Sequence, residues 1–192
     1  MAAIVPKCDS FATSASLVTF VAIDFETADH SPHSACAVGL IRVSGKRIIK
    51  RKYYLIRPPR RSFFFTPVHG ITWEHVQRQP TFGALWPNIR NLFLGADFIA
   101  SHNVGFDRRV LESCCRAAKV ETPGIRFVCT MKLARRVWDI RPTSLSIVSR
   151  YLGMPVTHHD ALSDAEACAG IVIAALRSGA EIKAQTNRAG AS

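Results

Sequence analysis

Two acids stand where an ionised side chain is expensive to bury. Asp24 closes the most apolar stretch of the chain, residues 17–24, and Glu26 follows two residues later. Side chains of a strand alternate between its faces, so both carboxylates point to the same side. Like charges at that range either raise a pKa or recruit a cation. A strand-end turn with two solvated acids is the alternative, and an Asp-x-Glu pair alone does not exclude it.

Two further acids lie in the first turns of predicted helices. Asp107 is flanked by the core-facing positions Phe106 and Val110, and the helix dipole favours an acid there without any catalytic role. Asp164 begins a helix that carries no charge from 167 to 176. Burying an ionised carboxylate without a partner costs several kcal/mol, so we expect something positive against Asp164.

A histidine adds a group that can accept a proton. His159 lies five residues before Asp164, with His158 beside it, while Asp160 is explained by helix capping. Four carboxylates suit hard divalent cations such as Mg²⁺ or Mn²⁺ better than zinc. An imidazole, with an ordinary pKa near ~6.5, suits proton transfer from water. Together these residues predict metal-assisted chemistry on a phosphate diester.

Composition favours one basic, globular domain. The chain has 192 residues, 48% of them apolar, and 25 Lys and Arg against 14 Asp and Glu, for a net charge of +11. Such a field attracts polyanions, nucleic acids first among them. No acid occurs between Asp29 and Glu74, and the basic residues of that stretch form either a phosphate-facing stripe or a solvated face. They are Arg42, Lys46, Arg47, Lys50, Arg51, Lys52, Arg57, Arg60 and Arg61.

Several classes of protein are excluded or disfavoured. No apolar run approaches the ~20 residues of a membrane span. The six cysteines lack Cys-x-x-Cys spacing, which disfavours zinc-binding and disulfide-stabilised scaffolds. The first sixteen residues do not have the continuous apolar segment of a secretory signal. We therefore expect no membrane association, reduced core cysteines and a cytoplasmic location.

Apolar patterning predicts an α/β protein with three domain segments. They are an N-terminal extension (1–16), expected to be mobile, a central domain (17–177) and a polar tail (178–192), expected to fray. Strands are predicted at 17–24, 35–43, 46–56, 97–100 and 125–129. Helices are predicted at about 81–94, 104–119, 130–138, 144–152 and 160–177, with Asn103 as the cap of the second.

Three motifs in order carry a family resemblance. They are Asp24 to Thr27, His102 to Asp107 and His159 to Asp164, supported by residues 68–72 and 129–135. Over residues 17–176 the chain resembles the DEDDh exonucleases, the family of the epsilon proofreading subunit of bacterial DNA polymerase III. The resemblance implies a ribonuclease-H-like fold, a five-stranded mixed sheet flanked by helices, and 3′-to-5′ exonuclease activity.

The resemblance also implies roles for particular residues. Asp24, Glu26, Asp107 and Asp164 would hold two Mg²⁺ or Mn²⁺ ions, and His159 would be the general base. The products would be nucleoside 5′-monophosphates from a single-stranded or frayed 3′ end. The implied substrate-binding residues are Phe25, Thr27, His69, Gly70, Ile71, His102, Asn103 and Phe106.

Partners and alternatives stay open at this point. The expected partner is a nucleic acid with a free 3′ end, either DNA or RNA, and a homodimer is compatible with the family. The short segment after the last predicted helix favours a stand-alone enzyme over a polymerase subunit. The rival hypotheses are a non-catalytic nucleic-acid-binding protein and a polymerase-accessory protein with the same fold.

Overall fold

A five-stranded mixed sheet with helices on both faces forms the centre of the computed structural model, which describes residues 18–155 and 159–182. The strands are β1 (Thr19–Thr27), β2 (Ala35–Ser44), β3 (Arg47–Leu55), β4 (Phe98–Ser101) and β5 (Phe127–Cys129). Their order is β3-β2-β1-β4-β5. The pairs β1–β2 and β2–β3 are antiparallel, whereas β1–β4 and β4–β5 are parallel. This confirms the predicted fold class.

Seven helices occur in the described part of the chain. They are α1 (Thr66–His69), α2 (Trp73–Val76), α3 (Phe82–Phe93), α4 (Val104–Ala117), α5 (Thr130–Trp138), α6 (Leu145–Tyr151) and α7 (Ala161–Arg177). None of them is long and apolar enough to cross a membrane. The segment between β3 and α3 contains the two short helices α1 and α2.

The central strand β1 is apolar at every position from Phe20 to Ile23 because both of its faces are covered. Val21 and Ile23 belong to a cluster with side chains of α3 and α4. Phe20 and Ala22 point the other way, into a cluster with α5, α6 and α7. This alternation follows from the period of two along a strand. The sheet thus separates two cores, and both support the strand that bears the first acids.

Helix α7 lies unusually close to β2. A Cβ atom on Gly39 would be 2.0 Å from the carbonyl oxygen of Ala161, the first residue of the helix. Only glycine allows this approach of backbone to backbone. The close packing brings the first turn of α7, with Asp164, to the strand pair β1–β2.

Two local predictions are wrong. Strand β1 continues to Thr27, so Asp24 lies inside the strand and not at its tip. Asn103 does not cap α4 through its side chain, because its backbone is left-handed (φ 68°) and its side chain makes no capping bond. In contrast, the Asp160 carboxylate accepts a hydrogen bond from the Ser163 amide, as capping predicts.

The predicted terminal segments are tested little. Residues 1–16 and 183–192 lie outside the described residues, as does His158. At the start of the predicted tail, Ala180 and Ile182 pack against the cluster around α7. The boundaries of the central domain stay predictions.

Candidate active site

Three carboxylates from two elements converge at one end of the sheet. Asp24 and Glu26 project from the same face of β1, and Asp164 projects from the first turn of α7. One carboxylate oxygen from each residue lies within 4.8 Å of the others. The shared face of Asp24 and Glu26 is the arrangement that their spacing predicts.

Asp107 lies beside this group on a third element and close enough to Asp24 for their charges to interact, although its oxygens are not among those within 4.8 Å of one another. It lies in the first turn of α4, is 1% exposed, and its Oδ1 accepts a hydrogen bond of 3.0 Å from the backbone amide of Phe25. Because Phe25 lies between Asp24 and Glu26, this bond ties α4 to the acidic segment of β1. The second oxygen, Oδ2, is buried and accepts no hydrogen bond of normal geometry from the described residues.

The acids raise one another's pKa values. Burial raises the pKa of Asp24 well above its ordinary range, and the charges of Asp107 and Asp164 raise it further. Burial and the charge of Asp164 raise the pKa of Glu26 to about 7. Burial likewise raises the pKa of Asp107 to about 7, although the Phe25 amide opposes the change. Hydrogen bonds and positive charges from the protein therefore do not offset the cost of burying the ionised carboxylates next to one another.

The donor set fits divalent metal ions. Within residues 18–155 and 159–182, no Lys or Arg side chain forms an ion pair with Asp24, Glu26 or Asp107. Clustered carboxylate oxygens without a basic partner are the ligands that Mg²⁺ and Mn²⁺ prefer. The buried Oδ2 atom of Asp107 is a further oxygen that a cation would satisfy.

His159 lies at the edge of the acid cluster. Its backbone amide donates a hydrogen bond of 3.2 Å to Oδ2 of Asp164, and its backbone is left-handed with φ 59°. The side chain is exposed. Burial lowers the pKa of His69, and the charge of the nearby His159 lowers it further. The histidine that the family resemblance selects is thus placed beside Asp164.

The ring of His69 connects the end of β1 to the segment after α1. Its Nε2 donates to the carbonyl oxygen of Thr27 at 3.1 Å, and its Nδ1 accepts from the amide of Ile71 at 3.0 Å. Gly70 between them has φ 73°, a conformation that favours glycine. These contacts hold the segment around Ile71 against Thr27, the residue that follows Glu26.

His102 is engaged within the protein. Its Nε2 donates to the carbonyl oxygen of Thr143 at 2.8 Å, and its Nδ1 lies 2.9 Å from the hydroxyl of Thr130. A substrate contact by His102 would therefore have no free ring nitrogen to use. The bonds instead fix the segment that leads into α4.

The other substrate-binding candidates divide by exposure. Phe25, Thr27 and Ile71 are buried, so the side chains of these three offer little surface to a ligand. Asn103 is exposed and Phe106 is half-buried, both at the start of α4.

Sequence reasoning missed Tyr53 as a neighbour of the site. Tyr53 lies opposite Gly39 in the β2–β3 pair. Burial raises its pKa, and the charges of Asp160 and Glu26 raise it further. No spacing rule connects Tyr53 to the acids, but an isolated glycine in a strand is a signal of close approach, and Gly39 marks this place.

The basic stretch between Asp29 and Glu74 does not form one continuous stripe. Arg42 donates hydrogen bonds to the carbonyl oxygens of Leu92, in the last turn of α3, and of Leu94, the residue after the helix. Arg51 forms an ion pair with Glu166, and Arg60 forms one with Asp29. Both earlier readings of the stretch are therefore too simple, since part of it has a structural role.

Comparisons with known proteins agree with this geometry. A family model described as Exonuclease (RNase_T) matches residues 21–172. The PolC-type DNA polymerase III of Thermotoga maritima is 30% identical over 159 residues, which are 81% of this chain and 12% of that protein. Exodeoxyribonuclease 10 of Escherichia coli is 31% identical over 143 residues, which are 71% of this chain and 59% of that protein. The chain thus spans less than two thirds of each relative.

Solved structures show the same architecture. Exonuclease X in complex with 5′ overhanging duplex DNA is 26% identical with a TM-score of 0.69, covering 85% of this chain and 95% of that one. The nuclease domain of 3′hExo, a DEDDh family member bound to rAMP, is 18% identical with a TM-score of 0.78, covering 90% and 98%. The second likeness concerns the fold alone. Because the family model covers most of its length, the chain belongs to the exonuclease family that this model describes, and it has the ribonuclease-H-like fold expected from the sequence.

Proposed function

We propose that this protein is a metal-dependent 3′-to-5′ exonuclease. It would hydrolyse the terminal phosphodiester bond of single-stranded or frayed nucleic acid and release nucleoside 5′-monophosphates. The observation that carries this proposal is the convergence of Asp24, Glu26, Asp107 and Asp164 from three elements, with no Lys or Arg paired to the first three in the described chain. A merely structural cluster of acids would be expected to include a basic partner.

The four acids would hold two Mg²⁺ or Mn²⁺ ions. When bound, such ions activate an attacking water and stabilise the charge on the leaving oxygen of an in-line displacement. The role of the protein is to hold its carboxylates in place before the ions bind. The Phe25 amide fixes Asp107, and the close packing of α7 on Gly39 fixes the position of Asp164.

His159 would accept the proton of the attacking water. The new bond forms between the water oxygen and the terminal phosphorus, and the bond to the 3′ oxygen of the preceding nucleotide breaks. The backbone amide of His159 donates a hydrogen bond to the carboxylate of Asp164, so His159 lies beside one of the proposed ligands, and its side chain is exposed. We further propose that Asn103 and Phe106 contact the terminal nucleotide, together with the segment around Ile71 that His69 holds in place.

The decisive experiment compares two conservative variants on the same substrates. Asp24→Asn removes a proposed ligand, whereas Asp139→Asn changes an exposed acid in a left-handed position that asparagine tolerates. We expect Asp24→Asn to slow hydrolysis of 5′-labelled DNA and RNA oligonucleotides in Mg²⁺ by at least about 100-fold, equivalent to ~2.7 kcal/mol. Asp139→Asn should match the parent, and chelator should stop both. Equal rates for Asp24→Asn and the parent would refute the proposal.

The role of His159 has its own matched control, because His158 is adjacent. His159→Ala should lower kcat by ~10²- to 10⁴-fold, the usual contribution of a general base, and His158→Ala should leave it nearly unchanged. The pH profile of kcat should lose its acidic limb only in His159→Ala. The opposite pattern would transfer the role to His158.

A second candidate function is proofreading beside a polymerase, favoured by the likeness to PolC-type polymerases. It predicts faster removal of a mismatched than of a matched 3′ end in the presence of a partner polymerase. A stand-alone exonuclease predicts the same rates with and without the polymerase.

A further inference from the structure

A second groove lies outside the acid cluster. Its volume is about 840 Å³, and it is bounded by the segment after β3, by α2, and by the facing parts of α3 and α4. The residues used below are Arg57, Arg61, Trp73, Gln77, Phe82 and Cys114. A volume of this size lies in the range of ligand-binding clefts.

The charge of the groove is one-sided. Arg57 and Arg61 are exposed on its rim, and no Asp or Glu lines it in the part of the chain that the structure describes. The nearby Arg60, in contrast, is paired with Asp29. Neither Arg57 nor Arg61 forms an ion pair with any described residue. Two arginines without a carboxylate partner favour an anionic ligand.

An aromatic wall accompanies these arginines. The guanidinium of Arg61 lies over the ring of Trp73, 5.2 Å from its centroid. Trp73 is only half-buried, and Phe82 and Cys114 form an apolar floor beside it. Aromatic rings that stack with bases, combined with basic groups for the backbone, are the features of single-strand binding surfaces.

The groove is connected to the site through shared elements. Trp73 packs in one apolar cluster with Ile71 and with Ala161 at the start of α7. Helix α4 carries Asp107 in its first turn and Cys114 seven residues later, a distance of ~10 Å at 1.5 Å per residue.

We propose that this groove binds the single-stranded segment of the substrate that lies a few nucleotides upstream of the cleaved bond. The inference rests on the proposed function of the acid cluster. Arg57 and Arg61 contact the phosphates, and Trp73 stacks with an unpaired base. A duplex in this groove would have its base faces already stacked and could not use Trp73 in this way.

The test separates long from short substrates. Arg57→Gln/Arg61→Gln removes the two rim charges, and Lys132→Gln/Arg177→Gln removes two exposed charges on α5 and α7 as the matched control. For a 20-nucleotide single strand we expect the first double variant to raise KM by about 10-fold with kcat unchanged. For a dinucleotide, KM should stay within about twofold of the parent. The control should behave as the parent with both substrates.

Binding without turnover tests the groove independently of catalysis. In chelator, anisotropy of a labelled 20-nucleotide strand should show weaker binding by Arg57→Gln/Arg61→Gln, and the slope of log K against log salt should fall by ~1.4 for two lost phosphate contacts. Trp73→Leu should weaken binding, and Trp73→Phe should restore most of it. A hairpin duplex with a blunt end should be insensitive to these changes.

The outcomes distinguish the two proposals. If the parent hydrolyses neither substrate, the proposed function fails, while the anisotropy result still decides whether the groove binds a strand. Equal KM changes for the 20-nucleotide strand and the dinucleotide, or a greater effect on the duplex than on the single strand, would overturn the groove assignment. An unchanged salt slope would do the same.

Discussion

Two carboxylate environments lie within a few residues of each other and have opposite electrostatics. Asp29 is 6% exposed. Two nitrogens of the Arg60 guanidinium donate hydrogen bonds to its carboxylate, and the backbone amide of Ser31 donates another at 2.7 Å. Burial raises the pKa of Asp29, but these bonds outweigh it and hold the pKa below its ordinary value. Five residues earlier, burial and neighbouring acids raise the pKa of Asp24.

The difference shows that burial alone does not define the site. At Asp29 the protein supplies its own cation. At Asp24, Glu26 and Asp107 the described chain supplies none, so the ionised acids carry an electrostatic cost that protonation or a bound metal ion would remove. A destabilised cluster of this kind is typical of functional sites.

The largest expected effect comes from moving one acid away from the others. Gly39→Ala places a methyl group against the backbone of Ala161, so α7 must shift and carry Asp164 from β1. We expect a loss of ~3 kcal/mol in the free energy of unfolding, measured with urea, together with loss of metal-dependent hydrolysis. Gly124→Ala is the control, because a Cβ there meets no atom within 4 Å. Unchanged stability of Gly39→Ala would contradict the close packing of α7.

The next effect is a pH dependence of opposite sign in the two environments. The ordinary pKa of Glu26 is 4.5, and its pKa in the fold is about 7. At pH values between these two, the native state holds a proton on Glu26 that the unfolded state has lost. The metal-free protein should therefore lose stability as pH rises from 4.5 to 7, by on the order of 3 kcal/mol.

Urea unfolding in chelator at several pH values measures this loss. Glu26→Gln should have a flatter profile than the parent, since it has no proton to release. A parent and a Glu26→Gln variant with the same slope would show that Glu26 is not destabilised by its neighbours.

Metal ions should reduce the cost at the acid cluster. At Mg²⁺ concentrations of ~100 times Kd, the parent should gain ~2.7 kcal/mol in the free energy of unfolding at pH 8. Asp107→Asn should lose most of this gain and should be more stable than the parent in chelator, because a buried charge is removed. Asp29→Asn is the control and should keep the full response. An equal response in Asp107→Asn would exclude Asp107 as a ligand.

The smallest effect concerns the compensated acid. Arg60→Gln leaves Asp29 without its cation, and we expect a loss of ~1 kcal/mol at pH 7, modest because the Arg60 side chain is 51% exposed. The loss should shrink as pH falls through the lowered pKa of Asp29, since the ionised form supplies the stability. Unfolding at pH 7 and pH 3 measures this. A loss that grows on acidification would reverse the comparison.

Much of the site was predictable from local rules. The spacing of Asp24 and Glu26 placed them on one face of a strand. The choice of His159 over His158, in contrast, came from the resemblance to the DEDDh exonucleases and not from the residues alone. The extension of β1 to Thr27 was not predictable, because it depends on pairing with β2.

What the sequence determined by itself are the elements and the identity of the acids, because periodicity, charge and motif spacing are local properties of the chain. The tertiary structure decided which acids remain without a cation. Arg60 reaches Asp29 across 31 residues, and the Phe25 amide reaches Asp107 across 82. Such pairings arise only when the sheet and helices pack, and they separate a compensated carboxylate from those left to bind an ion.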